Sequence, residues 1–136
     1  GTDVVYSTYY TQKLREMLLG LDEVKDHAAE TKEEREANLY KIYDTAAKEI
    51  IALQDKMGWY EIDRVPTYKA KWDEIKAVLR EVPSSEQIKA YIESVGLDIN
   101  EFATVYGDEK IQNALKYAKD IKDRYTVLWM YYDLFV

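Results

Sequence analysis

The sequence predicts an all-α protein, a helical bundle of about five helices. Apolar residues recur at steps of three and four along most of the chain, and no segment shows the alternation that is typical of a strand. Glycines at 20, 58 and 96 and prolines at 66 and 83 lie at the ends of these periodic segments. With 136 residues, 47% of them hydrophobic, the chain is expected to form a single domain over residues 1–136.

The first predicted helix covers residues 3–19, and Gly20 is expected to end it in a left-handed conformation. After a polar connection, Thr31 and Glu34 have the spacing of a capping box, which predicts the start of a second helix. This second helix is predicted to continue to Gly58. The residues expected to face the core from these two helices are Val4, Val5, Leu14, Met17, Leu18, Leu39, Ile42, Tyr43, Ala46, Ala47, Ile50 and Leu53.

A third helix is predicted over residues 61–81, with an early turn or kink at its proline. Ser84 and Gln87 form another capping-box pattern, which opens a short fourth helix that ends at Gly96. Residues 97–107 are interpreted as a loop. The residues expected to face the core from the third and fourth helices are Trp72, Ile75, Val78, Leu79, Ile88, Tyr91, Ile92 and Val95.

The last predicted helix covers residues 108–135. Its first half is amphipathic, so one side is expected to face water, whereas large residues occupy every side after Tyr125. A helix that is apolar all round must be covered all round, so this end is predicted to be the central pillar of the core or to dock against a partner. The apolar stripe is Ile111, Ala114, Leu115, Ala118, Ile121, Tyr125, Leu128, Trp129 and Tyr132, and the water-facing side is Lys116, Lys119, Asp120, Lys122 and Asp123.

Charge and composition exclude several classes of partner. Lys and Arg total 19 against 26 Asp and Glu, so the net charge is −7 and no basic face is available for a nucleic acid. No apolar run approaches the roughly 18 residues of a membrane span. The absence of cysteine fits a reducing compartment. We therefore expect a cytoplasmic protein that binds neither nucleic acid nor a membrane.

The residues alone predict no complete active site. The glycines are not spaced to bind a phosphate, and the single histidine, His27, is expected to be solvated in the polar connection. The pairs Asp22–Asp26 and Glu30–Glu34 have a spacing that could hold Mg²⁺ or Ca²⁺, but we interpret them as ordinary solvated charges. Ser84 and Ser85 are interpreted as helix caps. We therefore assign no catalytic, cofactor-binding or metal-binding residue, and no cofactor, to this chain.

The chain contains 13 tyrosines, an unusual number. A tyrosine can donate a proton in catalysis, but its apolar ring and polar tip also suit a core or an interface. We interpret these residues as core or interface residues. The two clusters are Tyr6, Tyr9 and Tyr10 near the start and Tyr125, Tyr131 and Tyr132 near the end.

Three segments, in order along the chain, resemble one known family. Residues 113–134, NALKYAKDIKDRYTVLWMYYDL, contain a closing pattern of Arg-Tyr-Thr, a hydrophobic residue and Leu, and residues 42–60 and 72–96 are also similar to family segments. The family is that of the metal- and NAD(P)-dependent sn-glycerol-1-phosphate dehydrogenases, within the iron-containing alcohol dehydrogenase and glycerol dehydrogenase superfamily. The similarity is to its C-terminal helical domain. The matching residues of the closing pattern are Arg124, Tyr125, Thr126 and Leu128.

The start of the chain extends this resemblance. Residues 1–19 are similar to the segment that follows a metal-binding histidine in the family, although Val5 and Ser7 replace glycines of the pattern. The resemblance places that histidine immediately before this segment. It also implies that Thr8 or Tyr9 faces the active-site cleft.

The resemblance implies that the complete enzyme has two domains. An N-terminal nucleotide-binding domain would be this chain's partner, and a divalent metal held by one Asp and two His would polarise the carbonyl of dihydroxyacetone phosphate for hydride transfer from NAD(P)H. None of those ligands can be placed on this chain, so we expect it to be inactive alone. The sequence leaves open whether the chain forms a homo-oligomer. The alternative is a stand-alone, non-catalytic helical module, for example a dimer joined through its C-terminus.

Overall fold

The computed structural model describes residues 2–121 and 124–136, and the side chains from residue 6 onward within the first of these ranges. All regular structure in these two ranges is helical, which confirms the predicted all-α class. Within them, no helix combines the length and the apolar character that a membrane span requires. The α-helices of the described residues are α1 (Thr2–Leu19), α2 (Lys32–Tyr43), α3 (Ala47–Met57), α4 (Val65–Leu79), α5 (Ser85–Ser94), α6 (Ile99–Tyr106), α7 (Asp108–Tyr117) and α8 (Val127–Phe135).

The helix ends follow the capping chemistry of the sequence. Thr31 Oγ1 accepts the Glu34 N–H at 3.1 Å, and the Glu34 carboxylate accepts the Thr31 N–H at 3.0 Å, so the predicted capping box is confirmed. Ser84 and Gln87 form the same reciprocal pair at α5. Gly20 is different, because its φ is not positive and its amide donates to a carbonyl of the preceding turn. The predicted left-handed cap at Gly20 is therefore wrong.

The single helix predicted over residues 31–58 is broken into α2 and α3. Between them Asp44–Ala46 form a 3₁₀ turn in which Asp44 has φ 52° and ψ −123°, a conformation that an α-helix of L-residues cannot continue through. The prediction was wrong because the apolar period runs across the break, with Leu39 and Ala47 both buried. The second half, α3, does end at Gly58 as expected, and this glycine is left-handed.

The strained backbone at Asp44 gives a stability prediction. Asp44→Gly is expected to raise the free energy of unfolding by about 1 kcal/mol, because glycine adopts a positive φ without strain, although it also gains entropy in the unfolded chain. Thr45→Gly is the matched control, since Thr45 is also exposed and has no positive φ, and it is expected to lower stability. Urea denaturation of both variants measures the difference. A loss of stability in Asp44→Gly would contradict the prediction.

Two boundaries in the middle of the chain also differ from prediction. The helix predicted over residues 61–81 is α4, and its kink lies at Lys71 rather than at Pro66, which occupies the first turn.

Residues 97–107, interpreted as a loop, contain α6. The Asp98 carboxylate accepts the N–H of residue 100 at 2.9 Å and so starts this helix, which has only eight residues, too few for a clear helical period.

The helix predicted over residues 108–135 is likewise divided. α7 is followed by a 3₁₀ turn, Ala118–Ile121, and α8 begins only after Thr126. Predictions were also made for the side chains of Val4 and Val5 and for Lys122 and Asp123, and these lie outside the described residues.

α8 lies at the centre of the core, which is the first of the two alternatives predicted for the end of the chain. Met130 and Tyr131 belong to a cluster with Leu14, Leu18, Tyr68 and Trp72 of α1 and α4, whereas Tyr132 packs with Leu39, Ala47 and Tyr117 of α2, α3 and α7. A third cluster joins α1 to α5 and α6 and contains the early tyrosines. α8 therefore connects the two larger clusters of the core. Its buried side chains are Trp129, Met130, Tyr131 and Tyr132.

The predicted inward faces are wider than the faces the structure buries. Leu14, Leu18, Leu39, Trp72 and Ile92 are buried as expected. The short helices cover each other only along narrow strips, so residues at the edge of a stripe reach solvent. The residues that were expected to be inside and are exposed are Met17, Ala46, Val78, Tyr91, Val95, Ala114, Ile121 and Tyr125.

Candidate functional site

A buried lysine and a buried aspartate lie next to each other at the break between α7 and α8. Lys119 and Asp120 were expected on the side that faces water, but they are 2% and 0% exposed. The prediction was wrong because it assumed a continuous α-helix. The 3₁₀ turn Ala118–Ile121 changes the rotation per residue and directs both side chains inward.

The Lys119 ammonium has three hydrogen-bond acceptors. Nζ donates to Tyr60 Oη at 2.7 Å, to the Lys116 carbonyl at 2.9 Å and to Asp120 Oδ2 at 3.0 Å. An ammonium has three N–H groups, so all three are used. This satisfies the condition under which a charge can be buried without a prohibitive desolvation cost.

Four aromatic rings surround the same nitrogen. Nζ lies 3.8 Å from the ring centre of Tyr132, 4.7 Å from Trp129, 5.0 Å from Tyr60 and 5.5 Å from Tyr117. Aromatic faces attract a cation most strongly where water is excluded. We call these four rings, with Lys119 and Asp120, the lysine cage.

The lysine cage is tied to α2 and α3 through polar groups. Tyr60 donates a short hydrogen bond to Asp120 Oδ1, and Gln54 Nε2 donates to the Asp120 carbonyl at 2.9 Å. The Arg35 guanidinium carbon lies 3.6 Å from the centre of the Tyr60 ring. Burial lowers the pKa of Lys119 to about 8, against the opposing effects of Asp120 and of Glu30.

Glu30 is a hydrogen-bond acceptor for the outer side of the lysine cage. Its carboxylate accepts from Tyr132 Oη at 2.7 Å, from Asn38 Nδ2 at 3.0 Å and from the Tyr117 hydroxyl. The interpretation of Glu30 as an ordinary solvated charge is therefore wrong. Glu34 is also engaged, in the cap of α2.

A second polar network lies on the other side of Trp129. The Arg64 guanidinium binds the Asp133 carboxylate through Nε at 2.7 Å and Nη2 at 3.0 Å, and it lies over the Trp129 ring at 4.5 Å. Tyr68 Oη donates to Asp133 Oδ2 at 2.7 Å and lies 2.9 Å from Tyr125 Oη. Trp129 is therefore in contact with two cations, each paired with its own carboxylate.

This arrangement encloses the lysine and exposes no reactive group. The Lys119 side chain is fully enclosed, so no substrate can reach its amine. Within the described residues, no three His, Cys, Asp or Glu side chains are grouped so that they could hold a metal ion.

The residues singled out in the sequence lie apart from the lysine cage. Thr8 is exposed on α1, and Tyr9 is half-buried with its ring edge-on to Tyr10 at 5.3 Å. His27 is exposed, as expected. Ser85 is not only a capping neighbour, because its hydroxyl and its N–H both donate to the Glu16 carboxylate, at 2.8 and 2.7 Å.

An open cavity lies beside the first half of α1, close to Thr8 and Tyr9. It has a volume of about 340 Å³ and is bounded by α1, α6, α7 and the start of α8. Most of its wall is apolar. We call it the α1 groove, and its principal walls are Tyr10, Phe102, Ile111, Leu115 and Leu128.

Stability is expected to fall as pH rises above 10. Burial raises the pKa of Tyr60, Tyr68, Tyr117 and Tyr132 above the ordinary value of 10, and neighbouring carboxylates add to the effect. These phenols ionise more easily in the unfolded chain, so above pH 10 the unfolded state holds fewer protons than the folded state and is favoured. Tyrosinate absorbance is expected to appear together with unfolding. Its full appearance in the still-folded protein would contradict this.

Lys119 changes the stability in the opposite direction to the tyrosines, and it does so at lower pH. Its pKa is about 8 in the folded protein and 10.5 ordinarily, so the folded state loses the proton first. Between pH 8 and 10.5 this group is expected to raise the free energy of unfolding, because the unfolded state binds more protons than the folded state. Guanidinium denaturation across this range measures the rise. The variant Lys119→Met, which cannot titrate, is expected to lack it.

Comparison of the chain with protein-family models, with curated proteins and with solved structures gives no match. The fold and the buried network define an all-α protein whose core contains cation–aromatic contacts around Trp129 and Tyr132. The resemblance of its segments to a known family stays a prediction.

Proposed function

We propose that this chain is the C-terminal helical domain of a glycerol-1-phosphate dehydrogenase-like oxidoreductase and is not catalytically complete by itself. The complete enzyme would be cytoplasmic and would interconvert dihydroxyacetone phosphate and glycerol-1-phosphate with NAD(P)H and a divalent metal. The described residues offer no ligand set that fits this metal, so no chemical step is assigned to them. This chain would form one wall of the active-site cleft of the complete enzyme.

The observation that carries the proposal is that the three family-like segments meet in one core. The first contributes Tyr60, whose ring centre lies 4.8 Å from that of Trp129 in the third. The second contributes Trp72 to the cluster that holds Met130. Segments far apart in sequence are expected to pack together in this way if they belong to one type of domain.

The most specific part of the resemblance also has a defined structural task. Thr126 Oγ1 accepts the Leu128 N–H at 3.2 Å and so caps the start of α8. Tyr125 is linked through Tyr68 to Asp133 at the far end of the same helix. Tyr125 and Thr126 of the pattern thus begin and anchor the central helix, which supports the interpretation of these two residues as fold-determining.

The proposal is tested by joining the chain to the nucleotide-binding half of a glycerol-1-phosphate dehydrogenase. The chain alone is expected to give no turnover, whereas the fusion, with a divalent metal, is expected to consume NADPH in the presence of dihydroxyacetone phosphate. A fusion that shows the helical content of a folded protein, binds NADPH and remains inactive would count against the proposal.

The cleft positions supply an internal control for that fusion. Replacing Thr8 and Tyr9 together with alanine is expected to lower kcat/KM. Thr67→Ala, an equally exposed threonine on α4, is expected to leave it unchanged. Equal effects would show that Thr8 and Tyr9 do not face the substrate.

A non-catalytic interaction module is the alternative, and exposed apolar residues on α5 and α6 favour it. Tyr91 and Val95 lie one turn apart and are 60% and 54% exposed, and Val105 on α6 is 75% exposed. Trp129, Tyr131 and Tyr132 of α8 are buried inside the chain, so the more exposed side chains of α5 and α6 are better placed than these rings to form a dimer. Sedimentation that shows a dimer, dissociated by Tyr91→Ser with Val95→Ser, would support this alternative.

A further inference from the structure

The walls of the α1 groove are those of a site for an apolar group. Phe102, Ile111, Leu115 and Leu128 come from three different helices and leave a volume of about 340 Å³ between them. Ligand pockets for small molecules are typically a few hundred Å³ and mostly apolar, with a small number of polar groups that set orientation. The groove therefore has the size and lining for one small amphipathic molecule.

The lining of the α1 groove also contains a positively charged side chain. The one charged side chain in its lining is Lys110, which is exposed and forms no ion pair within the described residues. A neighbouring cavity of about 290 Å³, which shares Tyr10 and Leu115 with the groove, again has a lysine, Lys13, as the one charge in its lining. In a chain with seven more acidic than basic residues, two adjacent cavities lined by lysines and by no carboxylate favour an anion.

Carboxylates do lie nearby, outside the lining. Asp108 is close enough to Tyr10 for its charge to act, after burial and Tyr9, in raising the pKa of the Tyr10 phenol. Asp108 does not line the groove, whereas Lys110, two residues further along α7, does. Lys110 is therefore the charged side chain that a molecule bound in the groove would contact directly.

We propose that the α1 groove binds an amphipathic carboxylate of the fatty-acid type. Its hydrocarbon tail lies against Phe102, Leu115 and Leu128, and its carboxylate lies at the Lys110 ammonium. Burial of the tail supplies most of the affinity, at about 0.8 kcal/mol per CH₂ group, and the exposed ion pair selects an anion over a cation. This binding is separate from the proposed dehydrogenase function and does not depend on it.

The test is calorimetric titration of the whole chain with dodecanoate, below the concentration at which it forms micelles. Dodecyltrimethylammonium, with the same tail and the opposite charge, is the comparison ligand. Dodecanoate is expected to bind more tightly than the cation. Lys110→Gln is expected to lower the affinity for dodecanoate about two- to fivefold, the amount that an exposed ion pair contributes, and to leave the affinity for the cation unchanged. Lys48→Gln, an exposed lysine on α3, is expected to change neither.

Ala114→Phe tests the position of the tail. Ala114 is exposed, so the larger ring should not disturb the core, but it lines the groove and would fill it. Dodecanoate binding is expected to weaken by about tenfold or more. Unchanged binding in this variant, or an equal effect of Lys110→Gln and Lys48→Gln, would place the ligand elsewhere and overturn the proposal.

Another occupant of the groove would give a different result. If a second copy of the chain covers it, sedimentation should show a dimer that Ala114→Phe dissociates, and dodecanoate should not bind the wild-type protein. That outcome would overturn the proposal in favour of a protein interface. Absence of both dimer and dodecanoate binding would overturn it as well.

Discussion

Replacing Trp129 with alanine is expected to lower the free energy of unfolding by about 3–5 kcal/mol. The ring is completely buried and fills the centre of the core. It also faces two cations, since the Lys119 nitrogen lies 4.7 Å and the Arg64 guanidinium 4.5 Å from its centre. Truncation would leave a large cavity and remove an aromatic contact from both cations, so the loss is expected at the upper end of the range.

Urea denaturation of Trp129→Ala beside Phe135→Ala separates this effect from the general cost of losing an aromatic residue in α8. Phe135 is 37% exposed and stacks on Tyr131, so its truncation is expected to cost much less. Trp129→Phe keeps a smaller ring and should lie between the two. Equal losses for Trp129→Ala and Phe135→Ala would show that Trp129 is not the centre of the core.

Lys119→Met is expected to cost about 3–5 kcal/mol at pH 7, although methionine has a similar length and is apolar. The substitution removes the partner of Asp120, whose side chain is fully buried, and leaves that carboxylate with the Tyr60 hydroxyl but no cation. Removing one member of a buried ion pair is costly because the remaining charge stays desolvated. The loss should appear as a lower denaturant midpoint with an unchanged slope.

A double-mutant cycle distinguishes the missing partner from lost packing. Asp120→Asn alone is also expected to destabilise the protein, but Lys119→Met combined with Asp120→Asn should cost clearly less than the sum of the single changes, because no unpaired charge is left. Additive losses would mean that the methionine packs poorly in the cage and that the ion pair contributes little. Lys48→Met, at an exposed lysine, provides the baseline.

Local chemistry explains which parts of the fold were predictable from the sequence. The caps at Thr31 and Ser84 depend on contacts between residues three apart, so their patterns identified the starts of α2 and α5 correctly. The central position of α8 followed from the absence of any polar side around Trp129. These features depend on few residues and on no distant contact.

The breaks at Asp44 and at Ala118–Ile121 were not predictable in the same way. In both places the helical apolar period continues through the interruption, so the sequence resembles one long helix although the backbone turns. The site was missed with the second break, because a continuous helix places Lys119 and Asp120 in water. A usable signal was present: the adjacent pair Lys119 and Asp120 is flanked by aromatic residues at 117, 125, 129 and 132, more than a solvated face needs.

The position of α8 has a consequence for how the protein is made. A ribosome releases the chain from its N-terminus, so α1 to α7 emerge before the helix that joins both halves of the core. Until Trp129–Tyr132 have been added, Leu14, Leu18 and Leu39 have no complete partner surface. We expect the nascent chain to stay open and to need chaperone protection until these residues emerge. An mRNA that ends just before the codons of Trp129–Tyr132 should yield a protein that is degraded rapidly.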